Sequence, residues 1–141
     1  MTDELEKKLY DKYPLIFRQK SLSMQETCMC WGICVGDGWY DIIDNLCEKI
    51  QNYVDETGCE QIEAEQVKEK FGGLRFYINF GNDKVYEYIN EAEELAENTC
   101  EICGTTENIG YTKGWITTCC KNCVKRNITE WVPKVDKKNT I

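Results

Sequence analysis

The chain has 141 residues, with 25 Asp+Glu against 17 Lys+Arg for a formal charge of −8, ten cysteines and no histidine. That length gives room for one compact domain and excludes two separate hydrophobic cores. The amino-terminal segment lacks a signal peptide's basic and apolar regions, and no apolar run reaches the roughly 18 residues of a membrane span, so a cytoplasmic protein with reduced thiols is expected.

Residues 3–12 read as a short helix, with Leu5 and Leu9 one turn apart, closed by Tyr13-Pro14. Leu15-Ile16-Phe17 is an apolar anchor, and the polar residues 18–26 read as a loop. Residues 27–35 have strand composition, with Gly32 as a candidate bulge. Cys28, Cys30 and Cys34 in this segment invite a second metal site, but their spacing is not knuckle-like and three thiols need a fourth partner. The competing reading is that they are small buried hydrophobes. Gly36-Asp37-Gly38 forms a turn, with Asp37 placed to cap the helix behind it.

That helix, residues 39–57, repeats Ile42, Ile43, Leu46, Cys47, Ile50, Tyr53 and Val54 at three and four residues and stops at Gly58. It is the expected core helix. Residues 60–71 form a charged strand-like run, and Leu74, Phe76, Ile78 and Phe80 alternate with Arg75, Tyr77 and Asn79. The two segments predict a β-hairpin turning at Gly72-Gly73, with the four apolar residues buried and Lys68, Lys70, Arg75 and Tyr77 on the outer face. Gly81-Asn82-Asp83 caps a second amphipathic helix over 84–97, with Val85, Ile89, Ala92, Leu95 and Ala96 inward and Glu87, Glu91, Glu93, Glu94 and Glu97 outward.

The most specific pattern follows. Cys100-Glu101-Ile102-Cys103-Gly104 and Cys120-Lys121-Asn122-Cys123 are two Cys-x-x-Cys knuckles with sixteen residues between them. Each knuckle lets two thiolates converge on one ion, and the spacing is that of a four-cysteine zinc site, giving Cys100, Cys103, Cys120 and Cys123 as ligands of one structural Zn²⁺. Cys119 competes with Cys120 for the third position. A redox-active Cys-x-x-Cys usually stands alone beside a βαβ unit, and no such unit is evident. Residues 109–118 read as two short strands around a glycine turn, and residues 121–131 as a helix ending before Pro133. Knuckle, hairpin and ligand-bearing helix make a treble-clef-like layout. The fold expected is therefore α+β, with a small antiparallel sheet on two amphipathic helices. It divides into an acidic body over 1–99 and a zinc module over 100–141, forming one compact unit.

The segments Cys30-Trp31-Gly32, Gly36-Asp37-Gly38-Trp39, Gln66 through Tyr77, Cys100 through Gly104 and Gly114-Trp115 together resemble a family of short uncharacterised proteins of phages, prophages and bacteria. The resemblance covers most of residues 13–123. It implies an association with mobile elements and a counter-defence role, such as that of an anti-CRISPR protein, and no functional residues beyond the zinc ligands.

Function is read from what the residues can do. Without histidine, acid–base chemistry would rest on carboxylates, Lys, Tyr or Cys, a cysteine nucleophile would lack its usual partner, and no phosphate-binding glycine loop occurs. A tetrathiolate zinc is also coordinatively closed, so a non-enzymatic protein is expected. Residues 1–99 carry 21 Asp+Glu against 10 Lys+Arg, whereas residues 100–141 carry 4 against 7. An acidic body favours a basic protein partner, such as a CRISPR effector nuclease, whose nucleic-acid groove it would block. The alternative is nucleic-acid binding by Lys121, Lys125, Arg126 and Trp131 of the basic C-terminal segment.

Overall fold

The computed structural model describes residues 1–124 and 130–134. Among the described residues three α-helices and two small sheets make an α+β architecture. Helix α2, Tyr40–Thr57, turns Ile42, Ile43, Leu46, Cys47, Ile50 and Val54 into the core, and Gly58 ends it in the left-handed region (φ 69°), its N–H donating to the Val54 carbonyl. Its entrance is a 3₁₀ turn, Asp37–Trp39, in which Trp39 is fully buried and donates its indole Nε1 to the Thr99 carbonyl at 2.9 Å. Asp37 does not cap α2. Its carboxylate accepts the Thr2 N–H at 2.8 Å, tying the entry of α1, Asp3–Lys12, to this turn, because the tight 3₁₀ winding leaves no cap position for it.

Helix α3, Asp83–Glu97, begins at Asn82, whose side chain accepts the Val85 N–H at 3.1 Å. Val85, Ile89, Ala92 and Ala96 are buried against β3 and α2, but Leu95 lies on the exposed side.

The first sheet has the order β1-β2-β3, from Ile33–Cys34, Ala64–Lys70 and Gly73–Ile78. It is mixed and not purely antiparallel: β1 runs parallel to β2, with Ile33 opposite Val67 and Cys34 opposite Lys68. The expected strand over 27–35 shrinks to these two residues because Met29–Trp31 winds into a 3₁₀ turn and Gly32 takes a positive φ. The parallel pair makes β1-α2-β2 a minimal βαβ crossover, which the sequence reading lacked; the cysteine knuckles are not part of it.

β2 and β3 form the expected hairpin, but its turn is centred one residue earlier. Phe71 (φ 53°) and Gly72 (φ 81°) both sit in the left-handed region, as a type I′ turn requires, while Gly73 pairs with Lys70. The Glu69 carboxylate secures this arrangement by accepting the Gly72 N–H at 2.6 Å. Leu74 and Phe76 are buried as expected, Ile78 is half-buried and Phe80 is exposed. The inward alternation stops because the Asn79 side-chain oxygen accepts the N–H groups of Glu63 and Phe80, ending the ladder before Phe80 can join it.

The second sheet is antiparallel with the order β5-β4-β6, from Thr118–Cys120, Ile109–Thr112 and Trp131–Pro133. The helix expected over 121–131 is absent at its described ends: Lys121–Cys123 is a 3₁₀ turn, Val124 is extended and Trp131 begins a strand, while residues 125–129 lie outside the described residues. Gly110 is the reason the third strand fits, since a Cβ there would lie 2.5 Å from the Trp131 ring.

The knuckle docks on the body through the Gly36–Trp39 turn. The Gly38 N–H donates to the Glu101 carbonyl at 2.8 Å, the Gly36 N–H donates to the Glu101 carboxylate at 2.9 Å, and a Cβ on Gly38 would lie 2.1 Å from the Cys100 carbonyl oxygen. Gly38→Ala is therefore expected to cost about 3 kcal/mol in urea unfolding, as overpacking against fixed backbone does. Gly58→Ala, whose Cβ meets nothing within 4 Å, is expected to cost only the left-handed strain of about 1 kcal/mol. Equal costs would contradict the docking geometry.

Candidate metal centre

The first knuckle is built by backbone hydrogen bonds. The Cys100 N–H donates to the Thr105 carbonyl at 2.8 Å, the Gly104 N–H returns to the Cys100 carbonyl at 2.9 Å, and the Cys103 N–H points at the Cys100 Sγ at 3.5 Å. Strand β5 then delivers Cys120, and the 3₁₀ turn behind it swings Cys123 to the same point. The sulfurs of Cys100, Cys103, Cys120 and Cys123 all lie within 4.8 Å of one another, and those of Cys103 and Cys120 are 3.8 Å apart. A tetrahedral ion with metal–sulfur bonds of about 2.3 Å requires sulfur–sulfur edges of about 3.8 Å, so the donor set fits a metal ion. Cys119 is buried but stands outside the cluster, as alternation along β5 requires of its neighbour's opposite face.

The electrostatics favour a cation. Burial raises the Cys100 thiol, yet the N–H groups of Cys103, Cys120 and Ile102 outweigh it and bring the pKa down to about 7. At Cys103 the Thr105 N–H lowers the pKa, but burial and the thiols of Cys100 and Cys120 raise it further. Cys123 is pushed up by burial and then by the three neighbouring sulfurs. Four sulfurs this close cannot all ionise without an ion between them, and a bound cation supplies that charge. Burial raises Cys119, outside the set, to about 11.

Glu101, inside the knuckle, is a site residue the sequence reading missed. Burial raises its carboxyl pKa and the Gly36 N–H opposes the shift, so it works as a clamp between knuckle and body. A carboxylate within a Cys-x-x-Cys turn, 65 residues after Gly36 of the Gly-x-Gly turn, carries no spacing signal of its own.

The other candidates separate. Cys28, Cys30 and Cys34 are exposed, not buried, and the thiols of Cys30 and Cys34 donate to the nearby carbonyls of Thr27 and Trp31. Among the described residues no second group of three metal-ligating side chains converges. Of the basic C-terminal candidates, Lys121 is exposed, but Trp131 is half-buried with Nε1 bonded to the Cys119 carbonyl at 3.1 Å, so it is not free to stack on a ligand. Lys125 and Arg126 lie outside the described residues.

Cys120→Ser is expected to abolish stoichiometric metal in the purified protein, whereas Cys119→Ser is expected to retain it; elemental analysis of the two variants decides between the neighbours. Among the described residues no helix is long and apolar enough to cross a membrane. Comparison with protein-family models, with curated proteins and with solved structures gave no significant match.

Proposed function

We propose that the protein is a zinc-stabilised, non-enzymatic binding module, treble-clef-like in its knuckle, hairpin and second knuckle, that uses an acidic face to engage and inhibit a basic protein. The zinc reading is supported by the donor set: four cysteines suit Zn²⁺, close its coordination and leave no position for a reacting water. Binding such an ion contributes on the order of 10 kcal/mol to folding, comparable to the whole net stability of a small domain.

The observation that carries the binding role is on α3. Leu95, which helical periodicity places beside Ala92 and Ala96, is instead 56% exposed, and Glu87, Glu91, Glu94 and Glu97 are exposed along the same helix. Glu91, Glu94, Leu95 and Asn98 together line one shallow depression. An apolar anchor ringed by carboxylates matches a partner surface of Lys and Arg around a hydrophobic patch, where the anchor would supply affinity and the charges encounter rate and orientation. A protein that handles nucleic acid has such a basic surface, so occupation of its groove would exclude DNA or RNA; a CRISPR effector nuclease in the host of a mobile element is a partner of this class.

Two outcomes test the reading. Pull-down from host lysate at low salt is expected to enrich a basic, nucleic-acid-handling protein, and its affinity for the Glu91→Lys, Glu94→Lys double variant is expected to fall at least about tenfold, with a milder loss for Leu95→Ala. Capture that is indifferent to both variants would remove α3 as the binding face. Chelation of the metal is expected to unfold residues 100–134 and abolish capture, followed by far-UV circular dichroism.

A further inference from the structure

A second surface meets the C-terminal end of the α3 face at Glu97 and extends away from it. On the outer side of the β2–β3 hairpin Lys68 lies directly opposite Arg75, and Lys70 follows on the same face. Like charges at opposed positions of a strand pair destabilise it, and an acidic chain has carboxylates to spare for neutralising them. No ion pair does so: among the described residues Lys7, Lys12, Arg18, Lys49, Lys84 and Lys113 form ion pairs, whereas Lys68, Lys70 and Arg75 have no carboxylate within 4.0 Å, and the Glu93 carboxyl interacts with Arg75 only from beyond that distance. A local rule broken without an ion pair to compensate it inside the fold marks a place where a partner outside supplies one.

The same surface carries exposed rings. Phe71, held at the turn in the left-handed region that bulky side chains avoid, is 75% exposed with the Lys70 ammonium 5.7 Å from its ring. Lys68 stands 5.9 Å from the ring of Tyr77. A cleft runs from this turn to the second sheet, lined by Phe71 and Arg75 on one side and by Tyr111, Ile116 and Lys134 on the other, with Glu97 its one carboxylate. Beside it Trp115 is 83% exposed, on a loop fixed by Thr112, whose hydroxyl donates to the Trp115 carbonyl at 2.6 Å and accepts the Thr117 N–H at 3.0 Å.

We infer that this face binds single-stranded nucleic acid, with Phe71, Tyr111 and Trp115 offering π faces to successive bases and Lys68, Lys70 and Arg75 meeting the phosphates, while the Lys134 ammonium stays bonded to the Glu97 carbonyl and the Asn98 side chain. The occupant follows from charge and shape together. Unpaired cations interleaved with upright aromatic rings match a chain of alternating phosphates and flat bases. A duplex hides its base faces, and a protein partner of the class that α3 suits would bring more positive charge to a surface already positive. The site differs from the C-terminal basic segment considered from sequence, and it stands independently of the α3 reading.

The test is fluorescence anisotropy of the full-length, metal-loaded protein with a labelled oligo(dT) and oligo(U) of about ten nucleotides, a length within the range of small single-strand sites. About three neutralised phosphates predict that affinity falls about 20-fold between about 50 and 200 mM salt. Phe71→Asn, which suits the left-handed turn while removing the ring, and Trp115→Ala are each expected to weaken binding roughly tenfold. Arg75→Gln should lower the log–log salt slope by about 0.7. Leu95→Ala should leave oligonucleotide binding intact, so failure of this site and failure of the α3 face are read separately. Absence of binding at low salt, binding unaffected by Phe71→Asn and Trp115→Ala, equal affinity for a duplex of the same length, or loss of protein capture alone in the aromatic variants would each overturn the inference. Circular dichroism of each variant confirms that the change lies in the surface and not in folding.

Discussion

Four thiols gathered within 4.8 Å of one another are the constraint on which this molecule depends. Cys100, Cys103, Cys120 and Cys123 come from a knuckle, a strand end and a 3₁₀ turn, elements too short to hold their own shape. Among the described residues, the buried cluster around them contains only Cys100, Cys119 and Cys120 as fully covered apolar residues, with Ile109, Cys123, Val124 and Trp131 partly covered. So small an apolar core cannot offset the entropy of ordering the segment, whereas a metal–thiolate site can. The raised thiols of Cys103 and Cys123 express the same fact from the other side, since each sulfur resists ionising until a cation shares the charge.

That constraint reaches the body through a few hydrogen bonds. The knuckle presents the Glu101 carbonyl and carboxylate to the N–H groups of Gly38 and Gly36, and the Thr118 hydroxyl donates to the Gly72 carbonyl at 2.6 Å. The hairpin turn and the entrance of α2 are thus both fastened to the cysteine-bearing segment. Phe71, in the hairpin turn, lines the cleft between the two sheets, and Trp115 stands on the loop joining β4 to β5, whose far end carries the Thr118 hydroxyl that makes this fastening.

Residues whose neighbours in sequence decide their structure are legible in the sequence. The α2 stripe, the Asn82 cap, the Gly58 stop and the two knuckles follow from periodicity, capping chemistry and ligand spacing. What escaped was decided at a distance. β1 is two residues long and exists only because Ile33 and Cys34 meet β2 across α2. Asp37 has the chemistry of a cap, but Thr2 competes for its carboxylate. Pro133 reads as a helix stop, yet it also suits the end of an edge strand, and β6 is an edge. Phe71 in a left-handed turn runs against its own preference and becomes intelligible only beside Glu69 and Gly72. Leu95 obeys the helical repeat and is still exposed, because no second element lies over that flank of α3 among the described residues.

The bond between the Trp39 indole and the Thr99 carbonyl spans 60 residues, and that between Gly36 and the Glu101 carboxylate spans 65. During synthesis the entrance of α2 therefore leaves the ribosome long before its partners exist. Helix α2 and the β2–β3 hairpin, made of local contacts, can form as they emerge, whereas the largest buried side chain of the core stays unsatisfied until the first knuckle arrives. Chain order thus makes closure of the tryptophan pocket a late event in synthesis, set by the arrival of Thr99 and of the knuckle that follows it.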